Sequence, residues 1–233
     1  MSSLITKDFL RNYYEKEGRT FAGDRFWSGF HKRFMVHACR HAVLTRWLQD
    51  IKLGASFLEV GCEFGFFVRK LAAQRVDATG IDIAQSKIEK ARSFAKAENL
   101  TCRFEVMDAE YLESLDAKSF DYVLCSEVLE HLPNDELAIK ELFRVTKKEL
   151  ILTVPQRSLY WKLMNKFYGF NRFNVIGGGH FREYAFEDFM KKLKQFPCKI
   201  REVYFSGFIS PFIDVYLQKL PWLQAVLCIR VKV

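Results

Sequence analysis

The sequence has no apolar run close to the roughly 20 residues that a membrane-spanning helix requires. Its first residues, MSSLITKDFLRNYYEKEG, also contain no apolar core of the kind found in signal peptides. We therefore expect an intracellular, soluble protein located in the cytoplasm. Paired cysteines are missing as well: the six cysteines are scattered without CxxC spacing, which predicts reduced, mostly buried thiols rather than zinc ligands or a redox dithiol.

Concentrated charge is absent too. The net charge is +8, but no block of five or more like charges occurs, and most lysines and arginines follow helical spacing. This pattern favours an ordinary solvated surface and argues against a dedicated nucleic-acid-binding stripe.

The chain has 233 residues, of which 49% are apolar, and this is enough for one α/β domain with at most a small cap. After Gly54, short apolar runs alternate with amphipathic helical stretches as far as ELILTVP. This alternation predicts a parallel sheet covered on both faces. Only a short segment separates the last two apolar runs, KIREVYFSGF and AVLCIRVKV, so these two strands are predicted to be antiparallel.

The stretch LEVGCEFGFFVRKL, residues 58–71, predicts a strand, a glycine turn and a helix. A dinucleotide site needs the pattern GxGxxG, but Glu63 and Phe66 follow Gly61 at the two later glycine positions. A phosphate-binding loop that ends in Gly-Lys-Ser or Gly-Lys-Thr is absent. The turn therefore suits a ligand with a nucleoside but no phosphate, because the Glu63 carboxylate would repel phosphates.

Two later carboxylates favour S-adenosylmethionine, which carries adenosine, a cationic sulfonium and an amino-acid tail. Asp82 ends the second predicted strand, where a carboxylate can accept both ribose hydroxyls. Asp108 ends the third, where it could accept the adenine amino proton, and Ile83 and Met107 could sandwich the base. The alternative for Asp82 is a purely structural role as a cap of the following helix.

Five motifs in order resemble those of the class I S-adenosylmethionine-dependent methyltransferases. They are EVGCEFG (59–65), GIDI (80–83), MDAEYL (107–112), FDYVLCSEVLEHL (120–132) and LILTVPQ (150–156). The resemblance implies a Rossmann-like α/β fold, with a seven-stranded, mostly parallel sheet, helices on both faces and an antiparallel last strand. Residues 1–50 would form an N-terminal helical cap and residues 51–233 the methyltransferase domain, with an acceptor-side insert at about 156–180. The implied cofactor contacts are Glu59, Gly61, Cys62, Gly65, Asp82, Ile83, Met107, Asp108, Ala109 and Ser126.

The chain departs from the family pattern in two places. Glu63 stands where glycine is common, and Lys147, Lys148 and Glu149 replace a glycine pair before the strand LILTV. The Glu63 carboxylate fits a cationic, phosphate-free cofactor or simply points to solvent. The lysine turn is predicted to alter only a surface loop.

Methyl transfer is a direct in-line displacement, so positioning supplies much of the barrier reduction and a base is needed only for a protonated nucleophile. The segment SEVLEH places Glu127, Glu130 and His131 on one face if it is helical. We predict His131, with Glu127, as the catalytic group; a structural histidine is the alternative. The same three residues with His180 could bind a divalent metal, but this is the less favoured interpretation, because similar segments occur in family members that need no metal.

Aromatic residues are concentrated at 13–34, 160–173 and 204–222, where the family builds its acceptor pocket. They predict a small or lipid-like acceptor, methylated at oxygen, under a lid hinged at the glycines 177–179. The segment GFISPFIDVYLQKLPWLQAVL also suits peripheral contact with a membrane surface. An RNA 2′-O-methyltransferase and a noncatalytic binding protein of the same fold are the alternatives.

Overall fold

The computed structural model describes residues 7–20, 35–168, 181–207 and 211–233. Within these residues the α-helices are α1 (Lys7–Thr20), α2 (Met35–Leu48), α3 (Phe66–Ala72), α4 (Gln85–Ala97), α5 (Asp135–Val145), α6 (Leu159–Tyr168), α7 (Phe186–Leu193) and α8 (Pro211–Asp214). The strands are β1 (Ser56–Val60), β2 (Asp77–Asp82), β3 (Arg103–Val106), β4 (Phe120–Ser126), β5 (Thr146–Pro155), β6 (Lys199–Ser206) and β7 (Val226–Lys232). Short 3₁₀ turns cover Leu129–His131, Tyr216–Lys219 and Pro221–Leu223. The predicted hinge at 177–179 and His180 lie outside the described residues.

The strands form one seven-stranded sheet in the order β3-β2-β1-β4-β5-β7-β6. Strands β1 to β5 pair in parallel, and β7 pairs antiparallel with both β5 and β6. The predicted fold, with one reversed strand that comes last in the chain, is confirmed. The reversed strand does not lie at the edge of the sheet, because β7 inserts between β5 and β6.

Apolar side chains cover both faces of the sheet, as the alternation of strands and helices predicts. Along β1, Phe57 packs into a cluster shared with α2, α3 and α4, and its neighbour Leu58 packs into a cluster shared with α5 and α7. Helix α2 is part of this core: Trp47 is 1% exposed, and its indole N–H donates to Glu202 at 2.9 Å. The boundary drawn at residue 50 remains a prediction.

The residues predicted as a lysine surface loop are strand residues. Strand β5 begins at Thr146, so Lys147, Lys148 and Glu149 are its second to fourth residues. The side chain of Glu149 is buried. The Glu149 carboxylate accepts a 2.6 Å hydrogen bond from Arg230 on β7. The prediction of an altered surface loop is wrong, because these residues belong to β5 and Glu149 forms a buried ion pair with Arg230.

The parallel strands bring their carboxyl ends to one edge of the sheet, where α/β folds place ligands. Val60 at the end of β1 is in register with Ile81 of β2 and with Cys125 of β4. Asp82 at the end of β2 is in register with Val106 of β3. The segments that follow β1, β2, β3 and β4 therefore meet, and they contain most of the predicted site residues.

Candidate cofactor and active site

A cleft of about 700 Å³, measured to its open mouth, lies at this carboxyl edge. Eight predicted site residues line it: Gly61, Asp82, Ile83, Met107, Asp108, Ala109, Glu127 and His131. Glu59, Cys62, Gly65 and Ser126 lie outside the lining.

The turn after β1 is a backbone structure that requires its glycines. Gly61 has φ of 73°, and a Cβ atom there would lie 2.3 Å from the side chain of Val128. Gly65 has φ of 71°, and a Cβ atom there would lie 2.3 Å from the ring of Phe104. Gly61 borders the cleft, whereas Gly65 lies outside its lining and lets the turn pack closely against Phe104 of β3.

Glu63 also adopts a left-handed conformation, with φ of 48°, which is uncommon for a residue with a side chain. Its backbone N–H donates to Asp82 at 3.0 Å, and its carboxylate lies 3.6 Å from the ammonium of Lys87. Burial alone would lower the pKa of Lys87, but the carboxylates, first that of Glu63, raise it above its ordinary value. Glu63 therefore compensates a buried cation at the cleft.

Asp82 holds the turn and keeps acceptor capacity for a ligand. One of its carboxylate oxygens accepts the N–H of Glu63, and the other accepts the N–H of Ala84 at 2.9 Å. Each carboxylate oxygen can accept two hydrogen bonds, so one position on each remains. The N-cap residue of α4 is Ala84, and no side chain caps this helix, so the alternative role of Asp82 as a helix cap is wrong. Its role as a cofactor ligand stays a prediction.

Asp108 lines the cleft, and both of its oxygens have partners. One accepts the N–H of Glu110 at 3.0 Å, and the other lies 3.0 Å from the ammonium of Lys7 on α1. Lys7 also lies 2.5 Å from the buried carboxylate of Glu110 and 3.8 Å from the ring centre of Tyr111. These contacts attach the beginning of α1 to the end of β3.

Behind the turn, Glu59 is a buried carboxylate with an oxygen that has no hydrogen-bond partner among the described residues. Burial, with Glu63 and Asp82 nearby, raises its pKa well above the ordinary value. A second buried charge, Arg40 of α2, lies 3.4 Å from Glu127.

The segment SEVLEH is not an α-helix, so the predicted shared face of Glu127, Glu130 and His131 is wrong. Glu127 has φ of 54°, and only a short 3₁₀ turn, Leu129–His131, follows it. Glu127 and His131 line the cleft, whereas Glu130 is completely buried outside the lining. In the part of the chain that the structure describes, no cluster of three potential metal ligands is present.

Some residues that line the cleft lie outside the five sequence motifs, so the motifs did not predict them. Leu10 and Tyr14 of α1 form part of the lining, and so does Lys87 of α4. Leu10 had only its helical spacing as a signal, which does not say what the helix packs against. Tyr14 belongs to the aromatic cluster at 13–34, which predicted a pocket but not this residue's place in it.

The comparisons with known proteins agree with this geometry. Residues 58–154 match the model of a family described as a methyltransferase domain. A ubiquinone biosynthesis O-methyltransferase from Coxiella burnetii is 28% identical over 162 residues, which cover 69% of this chain and 64% of that protein. An enzyme of the same name from Rickettsia akari is 40% identical over 90 residues, or 39% of this chain and 35% of that protein.

Solved structures share the fold. Magnesium protoporphyrin IX methyltransferase from Synechocystis PCC 6803, with bound SAH, superposes with a TM-score of 0.74 at 18% identity and covers 97% of this chain and 99% of that one. The [4+2]-cyclase SpnF gives a TM-score of 0.65 at 17% identity, with 83% of this chain and 80% of that chain covered. Residues 58–154 thus match a methyltransferase domain, and the fold is the one seen in methyltransferases of known structure. The chain spans 64% of the length of the Coxiella burnetii relative that it matches.

Proposed function

We propose that the protein transfers the methyl group of S-adenosylmethionine to an oxygen atom of a small or lipid-like acceptor. The observation that carries this proposal is the cleft at the carboxyl edge, where Asp82, Asp108 and His131 lie together beside the glycine turn. The relatives named as ubiquinone biosynthesis O-methyltransferases support the choice of oxygen. The similar cyclase supports a direct test of activity, since one fold carries different chemistries.

The described residues fit the cofactor. The free acceptor positions of Asp82 suit the two ribose hydroxyls, and Ile83 and Met107 offer apolar faces for the adenine ring. The absence of a side chain at Gly61 lets Val128, which also lines the cleft, pack closely against the turn. The partnerless oxygen of Glu59 suits the ammonium group at the amino-acid end, because a buried carboxylate is costly without a partner.

The cofactor, when bound, supplies an electrophilic methyl group on a good leaving group. The chain's part is to hold the acceptor oxygen in line with that methyl group and to take its proton. We propose His131 for the second task, because it lines the cleft. Glu127 is held by Arg40 at 3.4 Å and by the hydroxyl of Thr153 at 3.2 Å, so it offers a fixed carboxylate beside the same space.

The test uses radiolabelled S-adenosylmethionine with catechol and 4-octylcatechol as probe acceptors and bulk RNA as the rival substrate. We expect label in the catechols, with a higher rate for the octyl compound. Asp82→Asn is expected to weaken S-adenosylhomocysteine binding in calorimetry. Asp77→Asn is the matched control, because Asp77 begins the same strand at its far end and is exposed. Label in RNA alone, or a wild type that does not bind S-adenosylhomocysteine, would refute the proposal in favour of one of its rivals.

We also propose that the protein contacts an anionic membrane surface through α6 and the segment 211–224. Leu163, Val215, Tyr216 and Trp222 are between 40% and 85% exposed there. The end of this segment lies beside α6, because the Trp161 indole donates to the carbonyl of the next residue, Ala225, at 2.9 Å. The basic residues of both segments are exposed. Residues 157–168 and 211–224 contain one carboxylate, that of Asp214, and it is buried. Exposed aromatics with basic neighbours suit an interface with anionic lipid.

Co-sedimentation with phosphatidylglycerol and phosphatidylcholine vesicles tests this contact. We expect binding to the anionic vesicles only, and loss of binding in the double variant Tyr216→Ser with Trp222→Ser. Leu53→Ser is the control, since Leu53 is 69% exposed in the turn before β1, at the opposite edge of the sheet. Absence of wild-type binding to both vesicles excludes the contact. Among the helices within the described ranges, none is long and apolar enough to cross a membrane.

A further inference from the structure

Helix α1 covers the cofactor cleft with one of its faces. Lys7, Leu10, Tyr14 and Gly18 recur at helical spacing on one face of this helix. Leu10 and Tyr14 line the cleft, and Gly18 contacts α4 so closely that a Cβ atom would lie 2.2 Å from the hydroxyl of Ser86. This face of α1 therefore borders the cleft at Leu10 and Tyr14 and packs on α4 at Gly18.

Polar contacts hold both ends of α1 against residues of the site. At its beginning, Lys7 lies 3.0 Å from Asp108. At its end, the carboxylate of Glu15 accepts the N–H of Ser86 at 3.1 Å, and Glu17 lies 2.7 Å from the ammonium of Lys87. The position of Tyr14 between these two attachments is thereby fixed.

The hydroxyl of Tyr14 is buried and has no hydrogen-bond partner among the described residues. Its ring stands edge-on to that of His131, with centres 5.9 Å apart, and the Lys87 ammonium lies 4.8 Å from the ring centre. A buried hydroxyl without a partner is unfavourable, so such a group at a binding cleft indicates a missing ligand. Burial and the nearby carboxylates, first that of Glu130, raise the pKa of Tyr14, so the phenol stays protonated and can donate.

We propose that Tyr14 is a cofactor-binding residue, whose hydroxyl completes its hydrogen bonding with S-adenosylmethionine once the cofactor lies beneath α1. This inference rests on the proposed function and adds a contact from outside the sequence motifs. The proposed binding role belongs to the hydroxyl group of Tyr14, because a phenylalanine ring at this position would cover the cleft equally well.

Calorimetry with S-adenosylhomocysteine tests the proposal on the full chain and needs no methyl acceptor. We expect Tyr14→Phe to raise Kd about three- to tenfold, the equivalent of one ordinary hydrogen bond. Tyr13→Phe is the matched control: Tyr13 is the next residue on the same helix, its ring contacts that of Tyr14 at 5.3 Å, and it does not line the cleft. We expect its Kd to equal that of the wild type.

Thermal unfolding of the empty protein separates a binding role from a structural one. Tyr14→Phe should keep or raise the unfolding temperature, because it removes a buried hydroxyl that has no partner without cofactor. A Kd equal to that of the wild type overturns the role of Tyr14 and leaves the proposed function intact. A fall in unfolding temperature together with weaker binding also overturns it, since the hydroxyl would then stabilise α1 itself. A wild type that binds no S-adenosylhomocysteine overturns both.

Discussion

Replacing Gly61 with alanine tests whether the turn after β1 needs glycine for its backbone conformation alone or also for close packing at the cleft. Gly61 has φ of 73°, and an added Cβ atom would lie 2.3 Å from Cγ2 of Val128, which lines the cleft. Gly54 is a matched control, because its φ is 74° and nothing lies within 4 Å of an added Cβ atom. The two substitutions share their backbone strain and differ in steric clash.

The expected magnitudes follow from these two geometries. A left-handed conformation costs a residue with a side chain about 1–2 kcal/mol, and the stiffer unfolded chain offsets about 0.4–1 kcal/mol of this. Gly54→Ala should therefore lower the free energy of unfolding by about 1 kcal/mol. Overpacking against Val128 adds about 1–3 kcal/mol, so Gly61→Ala should cost about 2–4 kcal/mol, or roughly 4–16 °C in Tm.

Urea unfolding measures the stability difference, and calorimetry with S-adenosylhomocysteine measures the effect on the cleft. Because Val128 must move, Gly61→Ala should weaken binding by about tenfold, or 1.4 kcal/mol, while Gly54→Ala leaves it unchanged. If the two variants lose equal stability, the close approach of Val128 is not a constraint on this turn. If Gly61→Ala is less stable but binds normally, the turn shapes the fold and not the ligand site.

Two further predictions concern buried charges. The raised pKa of Glu59 means that the folded protein binds more protons than the unfolded chain above the ordinary value of 4.5, so stability falls as pH rises from there towards the folded pKa. Glu59→Gln should remove this loss, and urea unfolding at pH 5 and pH 8 should find the variant's advantage at pH 8 only. Arg230→Met leaves the buried carboxylate of Glu149 without its 2.6 Å partner and should cost about 3–5 kcal/mol. Arg201→Met, which removes the half-exposed second partner of Glu149, should cost under about 1 kcal/mol by the same assay.

The fold and the cleft residues at the carboxyl edge of the sheet could be predicted because they depend on local patterns. Alternating strands and helices fix a parallel sheet, and the residue that follows each parallel strand must lie at the carboxyl edge. Asp82 and Asp108 could therefore be placed together from their positions in two separate motifs. The reversed β7 followed from the short connection after β6, although its insertion beside β5 did not, since pairing order depends on the whole sheet.

The conformation of SEVLEH could not be predicted, because its spacing fits a helix and only the structure reveals the left-handed Glu127 that precedes the 3₁₀ turn. Spacing alone does not report backbone conformation at the end of a strand. The wrong prediction of a surface loop at 147–149 has a similar cause. Glu149 is polar in sequence, and its burial depends on Arg230, which lies far along the chain on β7.

Glu63, which departs from the family pattern, and helix α1, which covers the cleft, form one structural unit. Lys87 is nearly completely buried, and an unpaired ammonium there would be strongly unfavourable. Two carboxylates compensate it, that of Glu63 in the glycine turn at 3.6 Å and that of Glu17 on α1 at 2.7 Å. Glycine in place of Glu63 would remove one of the two. The departure from the family pattern is thus linked to the docking of α1, and α1 is the helix that brings Tyr14 to the cleft.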